Sequence, residues 1–162
     1  MRGSGLPYTL IQPNSFYQVD YSFRDVIIQH GVYPQPIGTV GISRVDVRDI
    51  GDAVVTALTR PGFTGETFPL VGPEALTGEQ CAAIYGRHLG RTVRYAGDDL
   101  DAWAGQARAM VPEWLVHDLV IMYRHIQQHG LRATADDLAR CREVVGHEPR
   151  RFDYFAAELV RG

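Results

Sequence analysis

Short apolar strands alternate with capped, amphipathic helices through the first two thirds of this chain, and no other feature limits its fold as strongly. Residues 8–12 (Tyr-Thr-Leu-Ile-Gln) read as a strand that Pro13 ends by withholding a backbone donor. Ile42-Ser43-Arg44-Val45-Asp46-Val47 alternates with a period of two and reads as a second strand. Asp49 then caps a helix in which Ile50, Ala53, Val54, Ala57 and Leu58 recur at helical spacing, and Pro61-Gly62 stops it. Residues 67–71 form the next strand; Thr77-Gly78-Glu79-Gln80 is a capping box opening a helix to Leu89, with Gly90 just past its end. Residues 92–96 make one more short strand. Four helices follow, at 98–110, 113–129, 134–145 and 150–160. The first carries an apolar stripe of Leu100, Trp103, Ala104 and Ala107, and the second one of Leu115, Leu119, Met122 and Ile126. Residues 14–39 read as loop, with a short helix near 23–30. Strand–helix alternation of this kind argues a parallel sheet of the α/β class, here followed by a helical tail.

Several function classes drop out. At 162 residues and 45% hydrophobic, the chain suits one globular domain with its own core. A net charge of −3 gives no footprint for nucleic acid or an anionic membrane. No apolar run approaches the roughly 18–20 residues of a membrane span. Cys81 and Cys141 are too few for a disulfide framework and wrongly spaced for a zinc cage, and they read as thiols in a reducing cytoplasm. All sixteen basic residues are arginine. Without lysine there is no Schiff base, no P-loop and no Tyr-x-x-x-Lys pair. No strand runs into Gly-x-Gly-x-x-Gly, since Gly38-x-x-Gly41 precedes a strand instead of opening a helix, and no Gly-x-Ser-x-Gly elbow is present.

Five segments in order resemble NmrA-like proteins, which are atypical short-chain dehydrogenases/reductases. They are Ser4-Gly5-Leu6-Pro7-Tyr8-Thr9-Leu10-Ile11-Gln12-Pro13-Asn14, then Val45-Asp46-Val47-Arg48-Asp49-Ile50-Gly51-Asp52-Ala53, then the block from Gly65 to Gln80 with Leu70-Val71-Gly72-Pro73 inside it. Leu89-Gly90-Arg91-Thr92-Val93-Arg94-Tyr95 and the closing Val144-Val145-Gly146-His147-Glu148-Pro149 through Phe155 complete the set. The resemblance covers the family's carboxyl-terminal half alone, as a single domain over 1–162. It implies a partial Rossmann-like parallel sheet, a late strand plus a substrate-side region, with a helical tail. The dinucleotide-binding half would lie before Met1.

Ligands of doubly wound sheets bind beyond the carboxyl ends of strands. The resemblance places Pro13, Asn14, Ser15 and Phe16 beside the nicotinamide of NAD(P), with Tyr17 and Tyr21 facing a substrate. An asparagine amide can fix a carboxamide, and aromatics shield a hydride path from water. The same residues also suit an ordinary turn followed by core. Gln12 stands where the family often has arginine. No catalytic residue is assigned, because none of the tyrosines has a lysine partner.

Other candidates have plainer readings. His125 and His129 share the spacing of a metal pair, but no glutamate stands between them and they fall off the apolar stripe with His117, so no metal is expected. Arg150-Arg151 reads as solvated. The family implies an NAD(P)H-dependent reductase acting on a small aromatic or quinone-like acceptor, inactive alone. A redox sensor, a protein-interaction module or a shortened reading frame fits the same residues. A parallel sheet with an unflanked strand should expose an apolar edge, so self-association or a complementing chain is expected.

Overall fold

The computed structural model describes Gly3 and residues 5–162. Met1, Arg2 and Ser4, the last of which opens the first family-like segment, lie outside the described residues. In chain order the elements are β1 (Leu10–Pro13), a 3-10 helix (Tyr17–Phe23), α1 (Arg24–His30), β2 (Val32–Tyr33), α2 (Val47–Thr59) and β3 (Thr67–Leu70). Then follow α3 (Gly78–Leu89), β4 (Arg94–Tyr95), α4 (Leu100–Ala107), α5 (Glu113–His129), α6 (Ala135–Val145) and α7 (Phe152–Arg161). The class is α/β with short parallel sheets and a helical carboxyl-terminal tail, as the alternation predicts.

The elements gather into two compact units. The first holds Met1–Gln18, Ser43–Glu74 and Ala133–Phe155. Here β1 and β3 pair in parallel, from Leu10 opposite Thr67 to Pro13 opposite Leu70. Helix α6 packs on β3 and on α2. The core between them is Val45, Ala53, Phe68, Leu70, Val71, Cys141, Val144 and Val145, with Ile11 and Ile50 against it. These side chains are the inward half of each period, which is why the pattern was legible.

The second unit holds Val19–Ile42, Ala75–Arg132 and Ala156–Gly162. Its sheet is the two-residue parallel pair β2–β4, Val32 opposite Arg94 and Tyr33 opposite Tyr95. The capping box of α3 forms as expected, Gln80 N–H donating to Thr77 Oγ1 at 3.2 Å and Thr77 N–H to Gln80 Oε1 at 2.9 Å. Gly90 follows in the left-handed region at φ 64°. Ala104, Ala107 and Val116 make a small core with Trp103. A polar cluster is buried here too: Asp20, wholly inaccessible, accepts from Tyr85 Oη at 2.7 Å and from the Gln35 amide.

Four expectations fail. Residues 42–47 form isolated bridges, Phe16 with Val45 among them, and no strand. The cap of α2 is Asp46, whose carboxylate accepts from Arg48 N–H at 2.9 Å; Asp49 lies inside the first turn. The helix begins three residues early, and Gln18 Oε1 takes Val47 N–H at 3.0 Å, satisfying one of the first-turn donors that have no partner inside the helix. The buried face of α5 is Val116, Tyr123 and Ile126, and Met122 is 42% exposed. Tyr123 and Gln127 turn inward because each has a buried acceptor, Gln35 Oε1 at 3.4 Å and Pro36 O at 2.9 Å. The 3-10 helix and β2, finally, lie where loop was expected.

Candidate functional site

Both strands of the first unit point the same way, so their carboxyl ends, Pro13 and Leu70, lie side by side. Each opens a loop there, 14–16 after β1 and 71–74 after β3. Asn14 N–H donates to Leu70 O at 2.9 Å, which extends the ladder one step past Pro13. Ser15 N–H then turns to the Asn14 side chain, donating to Oδ1 at 2.7 Å. The loop is next tied to residues 43–46: Val45 N–H donates to Ser15 O at 2.8 Å, and Tyr17 N–H to Val45 O at 2.9 Å.

Arg44 locks this arrangement. Its side chain is 2% exposed, and the guanidinium donates to Phe16 O at 2.7 Å and Tyr17 O at 3.1 Å. The same group lies 5.8 Å from the Tyr17 ring centre and 5.3 Å from that of Phe152, within reach of a cation–π attraction. A buried cation is tolerated when carbonyls and ring faces replace its water. Gly72 allows the close approach: a Cβ there would collide with the Arg44 carbonyl oxygen and lie 2.5 Å from the Tyr17 hydroxyl.

The expected site residues thus divide. Pro13 is exposed, Asn14 and Ser15 are half-buried, and Phe16 is 37% exposed, all on the loop beyond β1. Tyr17 is 1% exposed and packs on Phe152 at 5.2 Å and Phe155 at 5.6 Å, with its hydroxyl donating to Arg150 O at 3.1 Å. Burial pushes that phenol well above its ordinary value, against the pull of Arg44. Tyr21 belongs to the second unit and is 53% exposed.

The loop after β3 adds Glu74. Its Oε1 takes Arg151 at 2.5 Å, while its buried Oε2 has no hydrogen-bond partner among the described residues. Arg44, Gly72 and Glu74 were not singled out from the sequence. A charge inside an alternating apolar run was the available signal for Arg44; the other two owe their roles to residues far along the chain.

Below the loops lies a second polar cluster. Arg150 reaches Asp49 and Asp52 together, and His147 Nε2 stands 3.1 Å from Asp52 Oδ2. Asp49, Asp52 and His147 have the donor spacing of a cation site, but the Arg150 guanidinium already supplies the positive charge between the carboxylates. Arg150 and Arg151 are therefore ion-paired, where solvated side chains were expected. His125 and His129 lie on the exposed side of α5 with ring centres 4.7 Å apart and tilted at 48°.

No family model matches the chain. Individual proteins do. An NAD(P)H azoreductase of Xenophilus azovorans is 32% identical over 154 residues, which are 94% of this chain and 53% of the relative. A (4-alkanoyl-5-oxo-2,5-dihydrofuran-3-yl)methyl phosphate reductase of Streptomyces griseus is 30% identical over 158 residues, 98% of this chain and 55% of the relative. This chain is similar to NmrA-like proteins. Its fold agrees: an NADPH-dependent quinone oxidoreductase of Escherichia coli superposes with a TM-score of 0.86 over 98% of this chain and 57% of that one, at 21% identity. The chain spans about half the length of the curated relatives it matches, consistent with their carboxyl-terminal half. Among the described residues, no helix is long and apolar enough to cross a membrane.

Proposed function

We propose that this NmrA-like chain is the substrate-side portion of an NAD(P)H-dependent reductase, with Pro13, Asn14, Ser15 and Phe16 meeting the nicotinamide end of the cofactor. The carrying observation is the rigid loop beyond β1. Its backbone is fixed by Leu70, Val45 and Arg44, so Asn14 and the exposed Phe16 ring are held in place at the carboxyl ends of two parallel strands. The donor set fits that end of a dinucleotide. A carboxamide asks for amide and carbonyl partners, and a flat ring asks for an aromatic neighbour. The named chemistry of the relatives, an NAD(P)H azoreductase and a reductase of an oxo-dihydrofuranyl-methyl phosphate, supports the same reading.

Bound NAD(P)H would supply a hydride, which a small quinone-like or aromatic acceptor takes together with a proton from water. The residues of this chain orient and dry that transfer. Asn14 holds a position and Phe16 excludes water. Arg44, sunk beneath the loop, fixes the carbonyls of Phe16 and Tyr17 without touching a ligand. Tyr17 is frame, since its hydroxyl is spent on Arg150 and burial keeps it protonated.

Reduced nicotinamide mononucleotide tests this on the chain itself, because it lacks the adenylate that another part of a dinucleotide site would hold. Saturation-transfer NMR should show contact with the nicotinamide protons, lost in Asn14→Ala and Phe16→Ala. Equal transfer in all three proteins, or none in any, would sink the reading.

A further inference from the structure

Helix α5 is apolar on two sides. Val116, Tyr123 and Ile126 are buried, while Trp114, Ile121 and Met122 on the opposite side are 67%, 52% and 42% exposed. Met110, just ahead of the helix, is exposed as well. Single apolar residues on a surface need no explanation, but several on one face mark a contact. At about 100° per residue, Trp114, Asp118, Ile121, Met122, His125 and His129 fall within roughly a third of the circumference. All six are exposed.

This stripe matches itself when reversed. Its residues are spaced 4, 3, 1, 3 and 4 apart, the same from either end. Its acid stands in the amino-terminal half of the helix and its two histidines in the carboxyl-terminal half. Consider a second α5 laid antiparallel, with a two-fold axis between Ile121 and Met122. Asp118 of each copy then faces His125 of the other, and an imidazole N–H can donate to a carboxylate in either tautomer. Ile121 and Met122 of both copies meet at the axis, and Trp114 reaches the His129 ring at each end. Opposed helix dipoles favour the same direction. A parallel pairing would instead set Asp118 against Asp118. The exposed apolar residues of α2, Val54, Val55 and Leu58, have no acid or base among them to fix a register.

We propose that this face of α5 is the contact of a homodimer, antiparallel about Ile121 and Met122 and registered by two Asp118–His125 hydrogen bonds. The occupant is a second copy because a two-fold contact needs one patch complementary to itself, and this patch is. One helix face is at the small end of specific interfaces, so the dimer is of micromolar strength. The face belongs to the second unit and Pro13–Phe16 to the first, so the dimer and the nicotinamide reading stand or fall separately.

Sedimentation of the whole chain over a range of concentrations tests this, each variant first being checked for an unchanged unfolding curve. The unaltered chain should pass from monomer to dimer. Ile121→Asp should weaken the dimer at least tenfold, and Leu58→Asp should leave it unchanged. Asp118→Arg and His125→Asp should each weaken it at least tenfold when alone, because each sets repelling groups opposite one another. An equimolar mixture of those two variants should associate again. In the mixed dimer the new guanidinium faces the new carboxylate, and the unaltered Asp118 and His125 face each other. A chain that stays monomeric overturns the proposal, as does a mixture no tighter than its components. A dimer that Leu58→Asp dissociates and Ile121→Asp does not overturns it too, since α2 is then the contact. If Ile121→Asp unfolds, the mixture alone decides.

Discussion

Arg150 binds Asp49 through both its backbone N–H, at 2.8 Å, and its guanidinium, joining residues 101 positions apart. Asp49 is 0% exposed, whereas Arg150 keeps a third of its side chain in water. Removing the cation strands a buried charge, which costs more than the pair itself contributes. Arg150→Met should therefore destabilise the chain by about 3 kcal/mol in urea unfolding. The double variant Asp49→Asn/Arg150→Met should lose clearly less than the sum of the two single changes. Additive losses would mean that the pair is not coupled.

The same cluster sets a pH dependence. The Glu148 carbonyl and then the Asp52 carboxylate hold the His147 imidazole above its ordinary value, and Asp49 adds to the effect while Arg150 opposes it. A folded-state pKa raised this way stabilises fully below the unfolded value of about 6.5, and the contribution fades as pH rises through the folded one. Asp52 works in the other direction. Arg150 first, then His147, hold its carboxyl low, so its contribution is present above the ordinary carboxylate range and is lost in acid. Stability measured against pH should thus decline above about 6.5, with a limb that His147→Gln lacks. An unchanged limb in the variant would place the titration elsewhere.

Gly72 tests how tightly the two site loops are fitted. Its φ is not positive, so an added methyl group meets no backbone strain of its own, only the Arg44 carbonyl and the Tyr17 hydroxyl. A carbonyl cannot swing aside as a side-chain end can. Gly72→Ala should cost about 3 kcal/mol, the upper end for overpacking. Gly51→Ala on the outer face of α2, where the added carbon meets nothing within 4 Å, should be neutral or slightly stabilising. Thermal unfolding of the two variants gives the comparison directly.

What the sequence showed was local. Thr77 with Gln80, and Gly90 after α3, mark helix ends through atoms three or four residues apart, and those ends lie where expected. The loop Pro13–Phe16 was legible for the same reason, a proline ending a strand. Tyr17 was legible only as one of two readings, substrate-facing or core, because the contacts that decide for core are with Phe152 and Arg150, more than 130 residues away. The segment 42–47 failed as a strand although its alternation was real. Arg44 and Asp46, the polar members of that alternation, turn out buried as well, satisfied by Phe16, Tyr17, Gln18 and Arg48, so period two there did not mean one wet face. Two-residue strands such as β2 exist only through their partner, here β4, and leave no pattern to read.

The buried polar cluster of the second unit carries the last prediction. Asp20 is inaccessible to solvent and accepts from Tyr85 Oη at 2.7 Å on one oxygen and from Gln35 on the other. Gln35 in turn holds Tyr33 at 3.3 Å and accepts from Tyr123 at 3.4 Å. Four elements are therefore joined through one carboxylate and one amide: the 3-10 helix, β2 with the chain just after it, α3 and α5. Such a network holds only while each member is satisfied. Tyr85→Phe removes one donor and keeps the ring contact with Tyr33 at 5.9 Å, so the loss isolates the hydrogen bond to a buried carboxylate. It should cost about 2 kcal/mol. Tyr123→Phe, which breaks a longer bond to a neutral amide, should cost about 1 kcal/mol or less. If the two variants unfold at the same urea concentration, the carboxylate is not the centre of the network, and Asp20 is held by its other neighbours.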